Sequence, residues 1–135
     1  PRRLVSWKAR APCAPSGGTV MIIRKLADVP QTAVNMDGVR DITKQLVVGS
    51  ADGAPTFSFR VFTVAPGGHS PHHSHDVEHV NYVISGQGAL VDADGRLNPL
   101  ATGDFAFVAP GDVHQFRNTG AEPFVFICAV PKSYE

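Results

Sequence analysis

Histidine is the residue type in this sequence whose number and spacing could do chemistry. The chain has 6 histidines: His69, His72, His73, His75, His79 and His114. His73 and His75 are two positions apart, so on an extended strand their imidazoles project from one face, about 6.5 to 7 Å apart at Cα. His79 follows in the same phase. Since imidazole ligates divalent transition metals, the spacing predicts a metal site that His114 completes from another element.

A simpler interpretation of the same letters remains open. The run HSPHHSH over residues 69–75 could be a histidine-rich surface loop that binds metal loosely or has no function. His69 and His72 lie outside the two-residue phase. We expect these two to be solvated loop residues or hydrogen-bond partners of the metal ligands.

Short strands must position the histidines. Segments rich in β-branched and aromatic residues recur about every ten residues between Gly, Pro, Asn and Asp turns. They are residues 43–48, 56–65, 78–85, 89–92, 104–109, 113–117 and 123–130. No stretch of eleven or more residues keeps a helical apolar period without a breaker, and the sequence therefore predicts an all-β sandwich or barrel with little helix.

Length and charge limit the class of protein. A chain of 135 residues with 43% hydrophobic content is about one domain with a real core. Its net charge is zero, it has no Gly-rich phosphate cradle, and no apolar run approaches the ~20 residues that cross a bilayer. We expect neither a nucleic-acid nor a membrane partner.

The zero net charge divides unevenly along the chain. Residues 1–20 hold 4 of the 12 basic residues and no acid, and residues 21–135 hold the other 8 with all 12 acids. We predict a basic, disordered extension over 1–20 and one domain over 21–135. A start-site artefact, a weak targeting peptide or a strand-swapping arm are alternatives for 1–20. Cys13 and Cys128 are too few for a disulfide framework, which favours a reduced, cytoplasmic protein.

The segment 67–86 resembles the first motif of the cupin family. It fits G-x5-H-x-H-x3-E-x6-G in every spacing, with His73 and His75 at the two histidines and Gly86 at the end. Two long gapped patterns in order are far more specific than a lone H-x-H.

The segment 103–118 is similar to the second cupin motif, G-x5-P-x-G-x2-H-x3-N. Ala109 stands at the first proline, while His114 and Asn118 fit the last two positions. The resemblance implies a small double-stranded β-helix, or jelly-roll barrel, with a metal inside its mouth. It also implies a homodimer, because cupins commonly pair.

One position departs from the family pattern. His79 occupies the place of the glutamate, and Glu78 comes one residue earlier. Strand register favours a four-histidine ligand set, whereas a one-residue bulge would bring Glu78 in and push His79 out. Within small cupins a four-histidine set is a known variant. We expect Glu78 and Asn118 to be hydrogen-bond partners of the ligating imidazoles.

Strand parity and the resemblance together predict the walls of a substrate pocket. They are Arg60, Phe62, Phe105, Phe107, Phe116, Phe126 and Cys128. Simple core packing is the alternative for each phenylalanine. Arg60 either anchors a substrate carboxylate or forms a salt bridge at the rim. This composition predicts a small, mainly apolar organic ligand.

The expected cofactor is one divalent transition metal, with Mn, Fe, Ni, Cu and Zn all possible. Four neutral imidazoles leave the ion its full charge and two open positions on an octahedral centre. The first hypothesis is a metal-dependent oxidoreductase resembling dioxygenases. The alternatives are a non-catalytic module that binds a small molecule or a metal, and a metal-dependent isomerase or lyase.

Overall fold

The computed structural model describes residues 21–135, so the extension predicted for residues 1–20, with Cys13, lies outside the described residues. Strands dominate this part of the chain. They are β1 (Thr32–Ala33), β2 (Arg40–Val48), β3 (Phe57–His69), β4 (His79–Ser85), β5 (Gln87–Val91), β6 (Leu97–Ala101), β7 (Phe105–Val108), β8 (Gln115–Asn118) and β9 (Phe124–Pro131).

Helix in the described residues is limited to three short 3-10 turns, Leu26–Asp28, Ser50–Asp52 and Lys132–Tyr134. The all-β prediction is confirmed. Nowhere in residues 21–135 is a helix long and apolar enough to cross a membrane.

The strands form one antiparallel sheet that curls on itself. Its order is β6-β5-β8-β3-β9-β4-β7, with β2 also paired to β3 and β1 to β2. The long strand β3 pairs β2, β9 and, at the single register position His69↔Arg117, β8. The result is the double-stranded β-helix that the sequence predicts.

The core follows the two-residue period of the central strands. Along β9 buried and half-buried residues alternate, so that the even positions Phe124, Phe126, Cys128 and Val130 point into the barrel. The odd side chains of β9, also apolar, are half-buried on the outer surface. The even face of β9 therefore builds the core.

The pocket role predicted for Phe105 and Phe107 is wrong. Their exposed fractions are 74% and 64%, and both lie on the outer surface of β7. The register between β4 and β7 gives the reason, since His79 pairs with Val108. Paired residues of antiparallel strands share a face. Val108, like His79, therefore points inward, and the phenylalanines on the opposite parity point out.

Gly86 turns the chain between β4 and β5. Its φ of +84° lies in the left-handed region, and a Cβ built there would be 2.2 Å from the carbonyl oxygen of Pro123. Both the backbone conformation and the close approach of β9 require glycine. Strand β4 runs from His79 to Ser85, so its length sets the spacing between His79 and Gly86.

Candidate metal centre and adjoining cavity

Backbone hydrogen bonds bring the two histidine-bearing segments together. His73 and His114 form an isolated β-bridge, with the amide of each donating to the carbonyl of the other at 3.1 and 2.9 Å. The amide of Gly111 donates to the carbonyl of His75 at 2.8 Å. His114 therefore reaches the segment between β3 and β4 through main-chain pairing.

The structure brings all four predicted ligands into one cluster. His73, His75 and His114 each place a ring nitrogen within 4.8 Å of the others. The ring of His79, the first residue of β4, stacks on His75 with centroids 4.1 Å apart and lies 5.5 Å from the ring of His114. His79 thus borders the tight group of three.

Hydrogen bonds at Nδ1 orient two of the imidazoles. The Nδ1 of His75 lies 2.9 Å from the carbonyl oxygen of Val77, and that of His114 lies 2.9 Å from the carbonyl oxygen of Asp112. A carbonyl can only accept, so Nδ1 carries the proton and Nε2 keeps its lone pair. Main-chain carbonyls thus hold these two rings in the tautomer that a metal requires.

Two Nε2 atoms identify what the cluster lacks. In His75 and His79 this atom is buried and has no hydrogen-bond partner among the described residues. A buried polar atom without a partner is costly. Imidazole nitrogen suits divalent transition ions, so the donor set fits a metal that would supply the missing partner.

Burial also keeps the imidazoles neutral. It lowers the pKa of His73, His79 and His114 from the usual value of 6.5, and the pKa of His79 falls to about 3. For His79 the electrostatic effect of His75 and Arg60 lowers the pKa further. At neutral pH no proton has to leave these three rings before an ion binds.

Glu78 lies on the other side of the chain from the cluster. Its side chain is exposed, whereas His79 is buried, so no bulge exchanges the two residues at the start of β4. Among the described residues, no hydrogen bond joins Glu78 to an imidazole. The partner role predicted for this carboxylate does not hold.

Asn118 has a different role from the one predicted. Its Nδ2 donates to the carbonyl oxygens of Val64 and Glu122, each at 2.8 Å, and its Oδ1 accepts from the amide of Gly120. All three partners belong to the main chain. Asn118 therefore fixes the turn after β8 to β3 and does not orient a histidine.

A cavity of about 510 Å³ adjoins His73, His79 and His114. Five of the predicted pocket residues line it: Arg60, Phe62, Phe116, Phe126 and Cys128. The rings of Phe116 and Phe126 stack at 4.5 Å, and Phe62 lies 5.6 Å from Phe126. These three rings thus form one continuous aromatic surface of the cavity.

Sequence reasoning missed two polar residues of this cavity. Lys44 lies on β2 opposite Phe62, in the inward phase of Ile42, a signal that the sequence contains. Tyr134 follows β9 in the last 3-10 turn, with its ring 4.5 Å from that of His75. The two-residue alternation of strands cannot predict the position of a residue in such a turn.

Arg60 is buried beside the histidine cluster and does not form the rim salt bridge considered above. It is 6% exposed, and its Nη2 donates to Cys128 Sγ at 3.1 Å. The Sγ atom in turn lies 3.0 Å from Nδ1 of His79. The guanidinium also lies 4.9 Å from the ring centroid of Phe62. The cavity is therefore connected to the histidine cluster through Arg60, Cys128 and His79.

The double-stranded β-helix with a histidine cluster in its mouth defines a class of metal-binding barrels. The chain belongs to the cupin domain family, whose pattern matches residues 60–130, more than half of the sequence. The fold is similar to the polyketide cyclase RemF from Streptomyces resistomycificus, with 30% identity and a TM-score of 0.80. That likeness covers 84% of this chain and 80% of RemF.

The names of two further relatives describe different roles. The oxalate-binding protein of Thermotoga maritima is 26% identical over 116 residues, which are 84% of this chain and 95% of that protein. A gentisate 1,2-dioxygenase of a Ralstonia species is 32% identical over 62 residues, 46% of this chain but only 18% of the dioxygenase. Relatives on one scaffold thus differ in chemistry.

Proposed function

We propose that this cupin holds one divalent transition metal through His73, His75, His79 and His114 and acts as a metal-dependent enzyme. Its substrate is a small, mainly apolar organic molecule in the adjoining cavity. The observation that carries the proposal is the pair of buried Nε2 atoms without partners in a cluster of neutral imidazoles. The names of the relatives, a polyketide cyclase, an oxalate-binding protein and a gentisate dioxygenase, support a small organic ligand.

The protein's own groups would bind and orient the substrate. An ion held by four neutral imidazoles keeps its full charge and supplies Lewis acidity at its open positions. The stacked rings of Phe116 and Phe126 bind an apolar body and exclude water. The ring of Tyr134 lies 4.5 Å from that of His75 and 5.7 Å from that of His79, so it closes the cavity beside these two imidazoles.

Two reaction types fit this site. Oxidation by dioxygen is the one expected from the sequence, and the short match to a gentisate dioxygenase supports it. A reaction in which the ion is only a Lewis acid needs no oxidant. The longer match to a polyketide cyclase, over most of both chains, supports that second candidate.

Elemental analysis of protein purified without added metal tests the ligand set. We expect about one transition-metal ion per chain in the wild type, its loss in His79→Ala, and its retention in Glu78→Ala. His72→Ala is the matched control, because this exposed histidine lies outside the cluster. If Glu78→Ala loses the ion while His79→Ala keeps it, the four-histidine set is wrong. A wild type that binds none of Mn, Fe, Ni, Cu or Zn would remove the whole proposal.

Metal exchange separates the two reaction types. Iron-loaded and zinc-loaded protein would be compared with gentisate as a probe, following dioxygen uptake in an oxygen electrode and the loss of gentisate by chromatography. Dioxygen uptake that requires iron supports the oxidative candidate, whereas turnover that survives with zinc supports the Lewis-acid candidate. Ligand-dependent thermal stabilisation without turnover would instead indicate a binding module.

The proposed setting is the cytoplasm. Cys128 is a free, buried thiol in the described part of the chain, as suits a reducing compartment. Cell fractionation followed by detection with an antibody against the full chain would test the location, and we expect the protein in the cytoplasmic fraction.

A further inference from the structure

We infer that Arg60 is an anion-binding residue of the cavity, so that the ligand carries a carboxylate on an apolar body. This rests on the proposed function only in taking the cavity as the ligand site. The inference starts from the position of the guanidinium. It is buried on the inner face of β3, between the aromatic wall and the histidine cluster.

No carboxylate in the described chain compensates the charge of Arg60. The ion pairs of residues 21–135 join Arg24 to Asp52 and Arg40 to Asp41, and neither includes Arg60. Residues 1–20 contain no Asp or Glu that could provide one. Arginine stays protonated in proteins, and a buried charge without a counter-ion is strongly destabilising.

The guanidinium also has unused donors. Of its five N–H groups, the structure pairs one on Nη2 with Cys128 Sγ at 3.1 Å and one on Nη1 with the carbonyl of Tyr134 at 3.3 Å. Nε is buried and has no partner among the described residues. The planar fork of N–H donors matches the two oxygens of a carboxylate.

The other charged groups of the cavity favour an anion too. Glu135 lines the cavity, but its two carboxylate oxygens accept hydrogen bonds from Ser50 and Ser58. Lys44 contributes a second cation, on the strand beside Arg60 and on the same inward face. Two cations and one committed carboxylate leave the cavity positive even before a metal ion is added.

The aromatic wall determines what the carboxylate is attached to. Phe62, Phe116 and Phe126 cover one side of the cavity, so most of the ligand surface is apolar. Two cations are too few for a polyphosphate. The class that fits is a small aromatic or alkyl monocarboxylate, with its carboxylate at Arg60 and its body against the three rings.

Benzoate and benzamide test the inference, because they are nearly the same shape and differ in charge. Their affinities for the full chain as purified would be measured by calorimetry, with metal content determined on the same samples. We expect the wild type to bind benzoate about tenfold or more tighter than benzamide. Arg60→Gln should remove that preference and change benzamide affinity less than about twofold.

Two further variants keep the test decisive. Arg40→Gln is the matched control, an exposed arginine on the neighbouring strand, and should bind both probes as the wild type does. Arg60→Lys keeps the charge without the fork, so it should weaken benzoate binding less than Arg60→Gln. If Arg60→Gln does not fold by circular dichroism, the wild type decides the test: equal affinities for benzoate and benzamide overturn the inference, and a weakened benzoate preference in Arg60→Lys supports it.

Failure of the inference and failure of the proposed function give different results. A wild type without benzoate preference, or an Arg60→Gln variant that retains the preference, overturns the anion site even where the metal is present. A preference that depends on Arg60 in protein without metal keeps the anion site and overturns the metal-dependent function.

Discussion

Cys128 is the residue that joins the histidine cluster to the cavity. Its sulfur lies 3.0 Å from Nδ1 of His79 and 3.1 Å from Nη2 of Arg60. Burial raises the pKa of the thiol, while the charge of Arg60 opposes that rise. The sequence predicts a pocket wall residue at this position, and the structure also makes it the hydrogen-bond partner of a proposed metal ligand. A partner of this kind orients the ring so that Nε2 faces the ion.

Removing this partner is expected to weaken metal binding without removing any ligand. Cys128→Ala should reduce zinc affinity about tenfold, because Nδ1 of His79 loses the atom that holds the ring. Cys128→Ser keeps a hydroxyl at the same place and should recover most of the affinity. A zinc titration against a competing chelator measures the effect.

Val130→Ala is the control for lost core volume. It lies on the same strand and face as Cys128 and is equally buried. It should lower the melting temperature and leave zinc affinity unchanged. A Cys128→Ala variant that binds zinc as tightly as the wild type would show that His79 does not depend on the sulfur.

The site could be predicted from sequence where chemistry imposes a spacing. The two-residue spacing of His73 and His75 predicts that their rings meet, and the structure brings them together, although both lie between β3 and β4 and not on a strand. Strand parity and the family resemblance together predict Arg60 as a wall residue, and it lines the cavity. Tyr134 could not be found in this way, because a 3-10 turn has no two-residue alternation and its position depends on how the chain leaves β9.

At the scale of the element, periodicity identifies two faces of a strand but not which one is inside. In β7 the larger residues Phe105 and Phe107 are exposed, and the smaller Ala106 and Val108 face the barrel. Pairing with β4 fixes this choice, and pairing cannot be derived from one strand. β6 also escaped prediction, because Pro99 interrupts it and it pairs β5 alone in the described sheet.

The turn between β4 and β5 gives a prediction at this scale. Gly86→Ala should destabilise the fold by about 3 kcal/mol or more, since alanine adds left-handed strain and meets the carbonyl oxygen of Pro123. Gly95→Ala is the matched control. Its φ is +81°, close to that of Gly86, but open space surrounds its Cβ position.

Urea denaturation of both glycine variants separates strain from contact. Gly95→Ala should cost only the left-handed strain, about 1 to 2 kcal/mol. Equal losses for the two variants would mean that the approach of β9 to the turn does not determine the residue. A larger loss of unfolding free energy in Gly86→Ala would show that the close approach of Pro123 fixes the end of β4. The position of His79 at the start of β4 would then depend on the same contact.

For the whole molecule, the outer surface of four adjacent strands is apolar. Register aligns its side chains across β3, β9, β4 and β7 in two rows, Phe59–Ala129–Val80–Phe107 and Val61–Ile127–Tyr82–Phe105. Several of these residues are exposed in the single chain. A contiguous exposed apolar patch indicates a protein interface. None of its eight residues is charged, so two copies of the same face would meet without repulsion.

We therefore expect a homodimer that buries this face, the partner implied by the family resemblance. Replacing both Phe105 and Phe107 with serine removes the two most exposed aromatic side chains of the patch and should shift the protein to monomer. Light scattering after size-exclusion chromatography measures the mass over a range of concentrations.

Leu97→Ser is the matched control, because Leu97 is an exposed apolar residue on β6, at the far end of the sheet order from β7. A wild type that stays monomeric, or a dimer that survives the double substitution but dissociates in Leu97→Ser, would place the interface elsewhere. Because the proposed metal site and cavity lie on the inner face of the same strands, the double variant should bind metal as the wild type does.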